Sequence, residues 1–207
     1  KTIHHPLIPR FYGESTHGTN MGIAIEFING ISLDRIGDMK LDLSEKIKII
    51  FQIMIVIKYL HSKEFIYRDL KPNNIIVDEN KTAVLIDFDR MIQNESRGEY
   101  TLDFSHIYYD PEFLKNGKYT YKSDIYSPDT KTENMQIKDI YSLGVLIYFI
   151  IFEKVSFNDI QQGFMKPRKF DYERLFDIDE TNLNEFLEIS RNCSNKTPEK
   201  RPTITEL

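Results

Sequence analysis

The run Leu143-Gly144-Val145-Leu146-Ile147-Tyr148-Phe149-Ile150-Ile151-Phe152 constrains this chain more than any other segment. A helix that is apolar around its whole circumference must be buried on every side. The run is about half of the roughly 20 residues that a bilayer-spanning helix needs, so enclosure by protein is expected. Asp139 opens this helix, which becomes the predicted centre of the domain. The remainder supplies material for such a core, since 41% of the 207 residues are hydrophobic and 13% aromatic. That composition excludes wholesale disorder, and the length suits one large domain or two small ones.

Charge narrows the function classes. Lys and Arg number 27 against 32 Asp and Glu, a formal net charge of −5. Non-specific nucleic-acid binding needs a dense basic surface to release counterions, so nucleic acid is not an expected partner. The one cysteine, Cys193, cannot form an internal disulfide; a reducing intracellular, cytoplasmic setting is expected. No membrane span or signal-like segment is expected either, and the oligomeric state stays open.

Along the chain, Leu7–Tyr12 and Met21–Ile28 read as strands separated by the turn formers 13–20. From Ser44, apolar residues Ile47, Ile50, Phe51, Met54 and Ile57, with His61, recur at three- and four-residue steps. This predicts an amphipathic helix capped by Ser44 and running to about Ser62. Short β-type pieces follow at Phe65-Ile66, Ile75–Val77 and Ala83–Ile86, and then a polar loop over Asp89–Ser105. A last helix is predicted over Thr181–Arg191, with Leu183, Phe186, Leu187 and Ser190 on one side. Asp-Ile-Tyr-Ser occurs at Asp124–Ser127 and again at Asp139–Ser142. Pro128 obstructs a helix after the first copy, so the second begins the buried helix. His4 and His5 lack partners at metal-ligand spacing, His61 and Cys193 read as core, and Lys166, Arg168 and Lys169 as a solvated loop.

Chemistry concentrates in Tyr67-Arg68-Asp69-Leu70-Lys71-Pro72-Asn73-Asn74 and the later Asp87-Phe88-Asp89. Phosphoryl transfer needs a group that orients the attacking hydroxyl, a cation near the transferred group, and oxygen ligands for Mg²⁺. Asp69 suits the first task, Lys71 the second, and Asn74 with Asp87 the third. The two segments resemble the H-R-D-L-K-P-x-N and D-F-G patterns of the eukaryotic-type protein kinase family. Other landmarks follow that family's order: Glu26-Phe27-Ile28 resembles the hinge behind a gatekeeper Ile25, and Lys58–Ser62 resembles the end of the long helix. Asp110-Pro111-Glu112 resembles A-P-E, Asp139–Gly144 the start of the buried helix, and Lys200–Thr203 the late arginine segment whose Arg201 pairs with Glu112.

The resemblance implies an α+β, protein-kinase-like fold: a mainly helical large lobe at 29–207 with a remnant of the β-rich small lobe at 1–28. An insertion is expected near 124–138, because the stretch between Glu112 and Asp139 is longer than the family usually needs. The implied activity is transfer of the ATP γ-phosphoryl group to Ser/Thr hydroxyls of a protein substrate. Asp69, Lys71 and Asn74 would be catalytic, Asn74 and Asp87 would bind Mg²⁺, and Glu26, Ile28 and Ile76 would receive the adenine. Lys71 and Ser105 resemble the serine/threonine branch, and Arg68 resembles kinases governed by activation-loop phosphorylation, with Ser96, Tyr100 and Thr101 as candidate acceptors.

Three positions depart from the family pattern: Tyr67 for His, Asp89 for Gly, and Asp110 for Ala. The Gly-rich loop, the clamp lysine and its Glu partner fall within no segment of this sequence, so most of the small lobe is expected to be absent. A catalytically weak interaction module, or an incomplete unit with little activity of its own, is the alternative reading.

Overall fold

Burial of the apolar run organises the molecule as the sequence requires. The computed structural model describes residues 3–93, 133–154, 180–195 and 197–207. Among them, strands β1 (Phe11–His17) and β2 (Asn20–Ile25) form an antiparallel hairpin. Then come β3 (Gly30–Ser32), a short helix α1 (Ile36–Met39) and the long helix α2 (Leu43–Ser62). Four short strands follow: β4 (Phe65–Ile66), β5 (Ile75–Asp78), β6 (Ala83–Leu85) and β7 (Ile92–Gln93). Helices α3 (Glu133–Phe152) and α4 (Glu180–Cys193) complete the set. This is the expected α+β arrangement, with α3 packed against both α2 and α4.

Every residue from Asp139 to Phe152 is buried, which a helix without a polar face demands. One position makes that closeness possible. A Cβ on Gly144 would lie 2.7 Å from Cys193 Cβ and 2.8 Å from the Ser190 carbonyl, so α3 and α4 touch backbone to backbone there. The helix starts at Glu133, ahead of Asp139. Residues 133–138 of the expected insertion are therefore helical, because the period continues upstream of the apolar run. Residues 124–132, including the first Asp-Ile-Tyr-Ser copy, lie outside the described residues.

The start of α2 also differs from expectation. Asp42, not Ser44, is the cap: its carboxylate accepts the Glu45 N–H at 2.8 Å, and Glu45 in turn accepts the Asp42 N–H at 3.0 Å. This reciprocal box satisfies two amide groups that a helix start otherwise leaves unpaired. The buried stripe runs Lys46, Ile49, Ile50, Ile53, Val56, Ile57, Leu60 and His61. Phe51, expected on it, is 55% exposed, since it sits a 100° turn away from Ile50.

Two further corrections concern strands. β1 runs through Gly13–His17, which the sequence assigned to a turn, and the hairpin reverses at Gly18 and Thr19. Within the predicted loop, Ile92 and Gln93 pair antiparallel with Ile66 and Phe65. Strands β3, β5 and β6 form a second sheet in that order. Gly30 opens it because a Cβ there would lie 2.4 Å from the Val77 carbonyl.

A candidate phosphoryl-transfer site

The loop between β4 and β5 is held by a carboxylate from the central helix. Asp139 is 1% exposed. Its Oδ1 accepts the Arg68 N–H at 2.8 Å, while Oδ2 accepts the Tyr67 N–H at 2.9 Å and lies 2.9 Å from His61 Nε2. Burying a charge is costly unless hydrogen bonds replace its water, and here three groups do so. The bond to Arg68 also secures strained backbone, since Arg68 has φ of 68°, a left-handed conformation that side chains resist. Nothing in residue type or spacing announces this role. Periodicity and motif order mark Asp139 only as the head of a buried helix and His61 only as core.

On the anchored loop, Asp69 is 4% exposed. Lys71 Nζ lies 2.8 Å from Asp69 Oδ2, and Asn74 Nδ2 donates both to that oxygen and to the Asp69 carbonyl at 2.9 Å. The three expected catalytic residues thus meet at one carboxylate. A short 3-10 turn, Pro72–Asn74, delivers Asn74 back toward Asp69. From the turn after β6, Arg90 adds a second cation, its Nε 3.9 Å from Asp69 Oδ2. Sequence reasoning missed Arg90, whose spacing from Asp69 carries no motif.

Asp87 belongs to that same turn and has φ of 63°. Partial burial, then the bond and charge of Asp89, then the charge of Asp69 hold its carboxyl above the usual carboxylate range. Tyr67 links the turn to the loop. Its hydroxyl donates to the Ile86 carbonyl, next to Asp87, and its ring meets the Phe88 ring edge-on at 5.4 Å. Burial, and then the charges of Asp69 and Asp87, push the phenol well above its ordinary range, so it remains a donor at physiological pH. The exchange of His for Tyr at this position therefore keeps a tie between the two segments.

The residue types suit a hard divalent cation, while no group of three or more His, Cys, Asp or Glu side chains gathers at a metal-holding position among the described residues. With the Asn74 amide nitrogen committed to Asp69, its oxygen is the acceptor that remains. Asp87 and Asp89 add carboxylate oxygens, and Mg²⁺ takes oxygen ligands. The expected nucleotide residues occupy the connection between sheets. Glu26 and Ile28 are half-buried between β2 and β3, and the Glu26 N–H is already donated to the Arg10 carbonyl at 2.8 Å. Of the backbone groups expected to meet adenine at Glu26, the N–H is thus committed elsewhere. Ile76 is half-buried on the middle strand β5, its burial alternating with that of Ile75 and Val77. Ser96, Tyr100, Thr101, Ser105, Asp110, Glu112 and the basic cluster at Lys166, Arg168 and Lys169 lie outside the described residues. Arg201 packs on the Tyr141 ring at 5.0 Å and donates to the Asn195 carbonyl at 2.7 Å.

Fold and site together define a class, proteins in which a loop centred on one buried carboxylate is anchored to a buried helix. Comparison with known proteins specifies it further. The protein kinase domain family matches residues 1–129, and the chain belongs to the protein kinase family. It is 28% identical over 216 residues to the cell cycle serine/threonine-protein kinase CDC5/MSD2 of Saccharomyces cerevisiae, covering 100% of this chain and 28% of that protein. It is 27% identical over 234 residues to calcium/calmodulin-regulated receptor-like kinase 2 of Arabidopsis thaliana, covering 99% and 48%. A third relative, dual specificity testis-specific protein kinase 2 of Mus musculus, is 27% identical over 214 residues, covering 99% and 35%. The chain spans less than half the length of each. No helix among the described residues is long and apolar enough to cross a membrane.

Proposed function

We propose that this chain carries the large-lobe part of a protein serine/threonine kinase site, transferring the γ-phosphoryl group of ATP to a protein hydroxyl. The observation that carries this reading is the meeting of Lys71 and Asn74 at the Asp69 carboxylate, beside the turn that bears Asp87. Asp69 orients the acceptor hydroxyl and takes its proton. The hydroxyl oxygen then bonds to the γ-phosphorus while the bond to the bridging oxygen breaks, releasing ADP. Lys71 offsets negative charge on the transferred group. Asn74 and Asp87, joined by Asp89, would hold Mg²⁺, which when bound neutralises phosphate charge. Ile76 would floor the adenine pocket, with the Glu26 carbonyl and the Ile28 backbone facing the ring. The lysine in D-L-K-P-N-N supports the serine/threonine branch.

The test is radiolabel transfer from ATP to a generic protein acceptor with Mg²⁺, by a complete kinase domain that contains this segment. Asp87→Ala is expected to abolish it, and turnover retained in that variant would refute the assignment. A second reading, an interaction module with weak chemistry, is favoured by Asp89, whose carboxylate raises Asp87 and opposes its ionisation. It predicts that the chain binds an ATP analogue without Mg²⁺-dependent transfer.

A further inference from the structure

We infer that residues His4–Ile8 form a pH-sensitive latch, closed onto α2 and β6 while the His5 imidazole is neutral and loosened when it takes a proton. The latch stands independently of the phosphoryl-transfer reading above. The Leu7 N–H donates to His5 Nδ1 at 3.2 Å. A peptide N–H can only donate, so Nδ1 must present its lone pair, and the ring is the neutral form with its proton on Nε2. A second proton would go to Nδ1, the atom already in use, and set N–H against N–H.

That bond closes a tight turn that reaches in two directions. The Ile8 N–H donates to the His5 carbonyl at 3.0 Å, and Ile8 itself is buried in the core. Toward β6, the Leu7 carbonyl accepts the Leu85 N–H at 2.9 Å, and Leu85 ends that strand two residues before Asp87. Toward α2, the His4 N–H donates to the Tyr59 hydroxyl at 3.0 Å, and the His5 and Tyr59 rings lie 4.9 Å apart. The segment thus ties the chain entering β1 to two elements of the core, with one titratable acceptor at its centre.

The surroundings favour the neutral ring. His5 is half-buried, and burial holds its imidazole below the ordinary histidine value of 6.5. From α2 it meets the Tyr59 phenol, and Lys63 Nζ already lies 5.9 Å from the centroid of that ring. A positive imidazole would share the ring with that cation. His4, its neighbour in the chain, is exposed and adds positive charge when protonated, and β6 meets the segment through the uncharged Leu85 amide. On acidification the unfolded chain therefore takes up this proton first. The latch contributes its full stability above the unfolded value, and the contribution is lost as pH falls through the folded one.

The experiment is a pH titration by ¹⁵N–¹H NMR of a complete kinase domain that contains this segment. The His5 ring signals are assigned by their loss in His5→Asn. They are expected to show the Nε2–H tautomer at neutral pH, and a midpoint below that of the same chain unfolded in urea. Amide hydrogen exchange, corrected for its intrinsic pH dependence, gives the second readout. Protection of the Leu7 N–H should fall about fivefold as pH drops through the midpoint, the worth of one ordinary hydrogen bond. The Leu85 N–H should follow in the same direction, while that of Ile53, buried in α2, stays unchanged. His5→Asn places a carbonyl oxygen where Nδ1 stood, and asparagine bonds the N–H two residues on without titrating. It should keep Leu7 protected across the whole range. His5→Phe keeps a ring against Tyr59 but no acceptor, and should leave Leu7 unprotected throughout. An Nδ1–H tautomer, a midpoint at or above the unfolded one, wild-type protection that ignores pH, or a pH step surviving in His5→Asn would each overturn the latch. So would an equal fall at Ile53, which would assign the loss to the whole fold.

Discussion

The β1–β2 hairpin and the loop carrying Asp69 sit in the same chain and are secured in opposite ways. In the hairpin, Met21, Ile23 and Ile25 share a face and are all exposed, Met21 at 78%. Antiparallel backbone pairing joins the two strands. The Asp69 loop instead lies under buried side chains, with Tyr67, Arg68, Asp69 and Leu70 all below a tenth exposed. One carboxylate from a helix distant in sequence grips it. Backbone pairing is enough to define a hairpin, but geometry exact enough for chemistry is bought with burial and long-range bonds.

Substitutions can break or sharpen that contrast. Asp139→Ala should have the largest effect, because it strands two amide groups and a histidine in a dry site. A loss of about 3–5 kcal/mol in urea unfolding is expected; a loss below about 1 kcal/mol would place the anchor elsewhere. Next comes a matched pair. Ile57→Ala, at a fully buried position of α2, should cost about 2–5 kcal/mol. Ile23→Ala in the hairpin should stay within about 0.5 kcal/mol. Equal losses in the two would mean that the hairpin face is covered in solution.

The smallest effect concerns pH. Asp87 titrates above the usual carboxylate range in the folded state. The folded chain therefore binds the extra proton between the unfolded value and the raised one, and stability falls as pH rises through the folded value. Asp89→Asn removes part of the cause. The variant should be the more stable form at neutral pH, by a few tenths of a kcal/mol for such an exposed group, and the gap should close toward pH 4. Unfolding curves across that range check the sign, and a gap that widens on acidification would reverse it.

The sequence disclosed some of this and withheld the rest for physical reasons. The central helix was legible because its run from Leu143 to Phe152 carries no charged residue to confuse the pattern. The α2 start was misread although Asp42-x-x-Glu45 is itself a capping-box pattern; Ser44 is an equally good cap by type. Strand β1 was cut short because an exposed hairpin has no alternation of burial to mark it. Asp69, Lys71 and Asn74 were legible since they act within one short segment. Asp139 was not, because it holds backbone groups, and peptide N–H groups leave no trace in residue type. Arg90 escaped for a related reason, approaching Asp69 from a separate turn.

The grip of Asp139 on Tyr67 and Arg68 has a consequence for how this loop can change. It fastens peptide groups that every residue but proline possesses. The bonds from Asp139 would therefore survive exchange of the side chains at 67 and 68, although those side chains hold ties of their own to the Ile86 and Arg90 carbonyls. Proline at either position would remove the donor itself. The anchor is thus indifferent to which side chains stand at 67 and 68 and sensitive only to whether their peptide N–H groups are there.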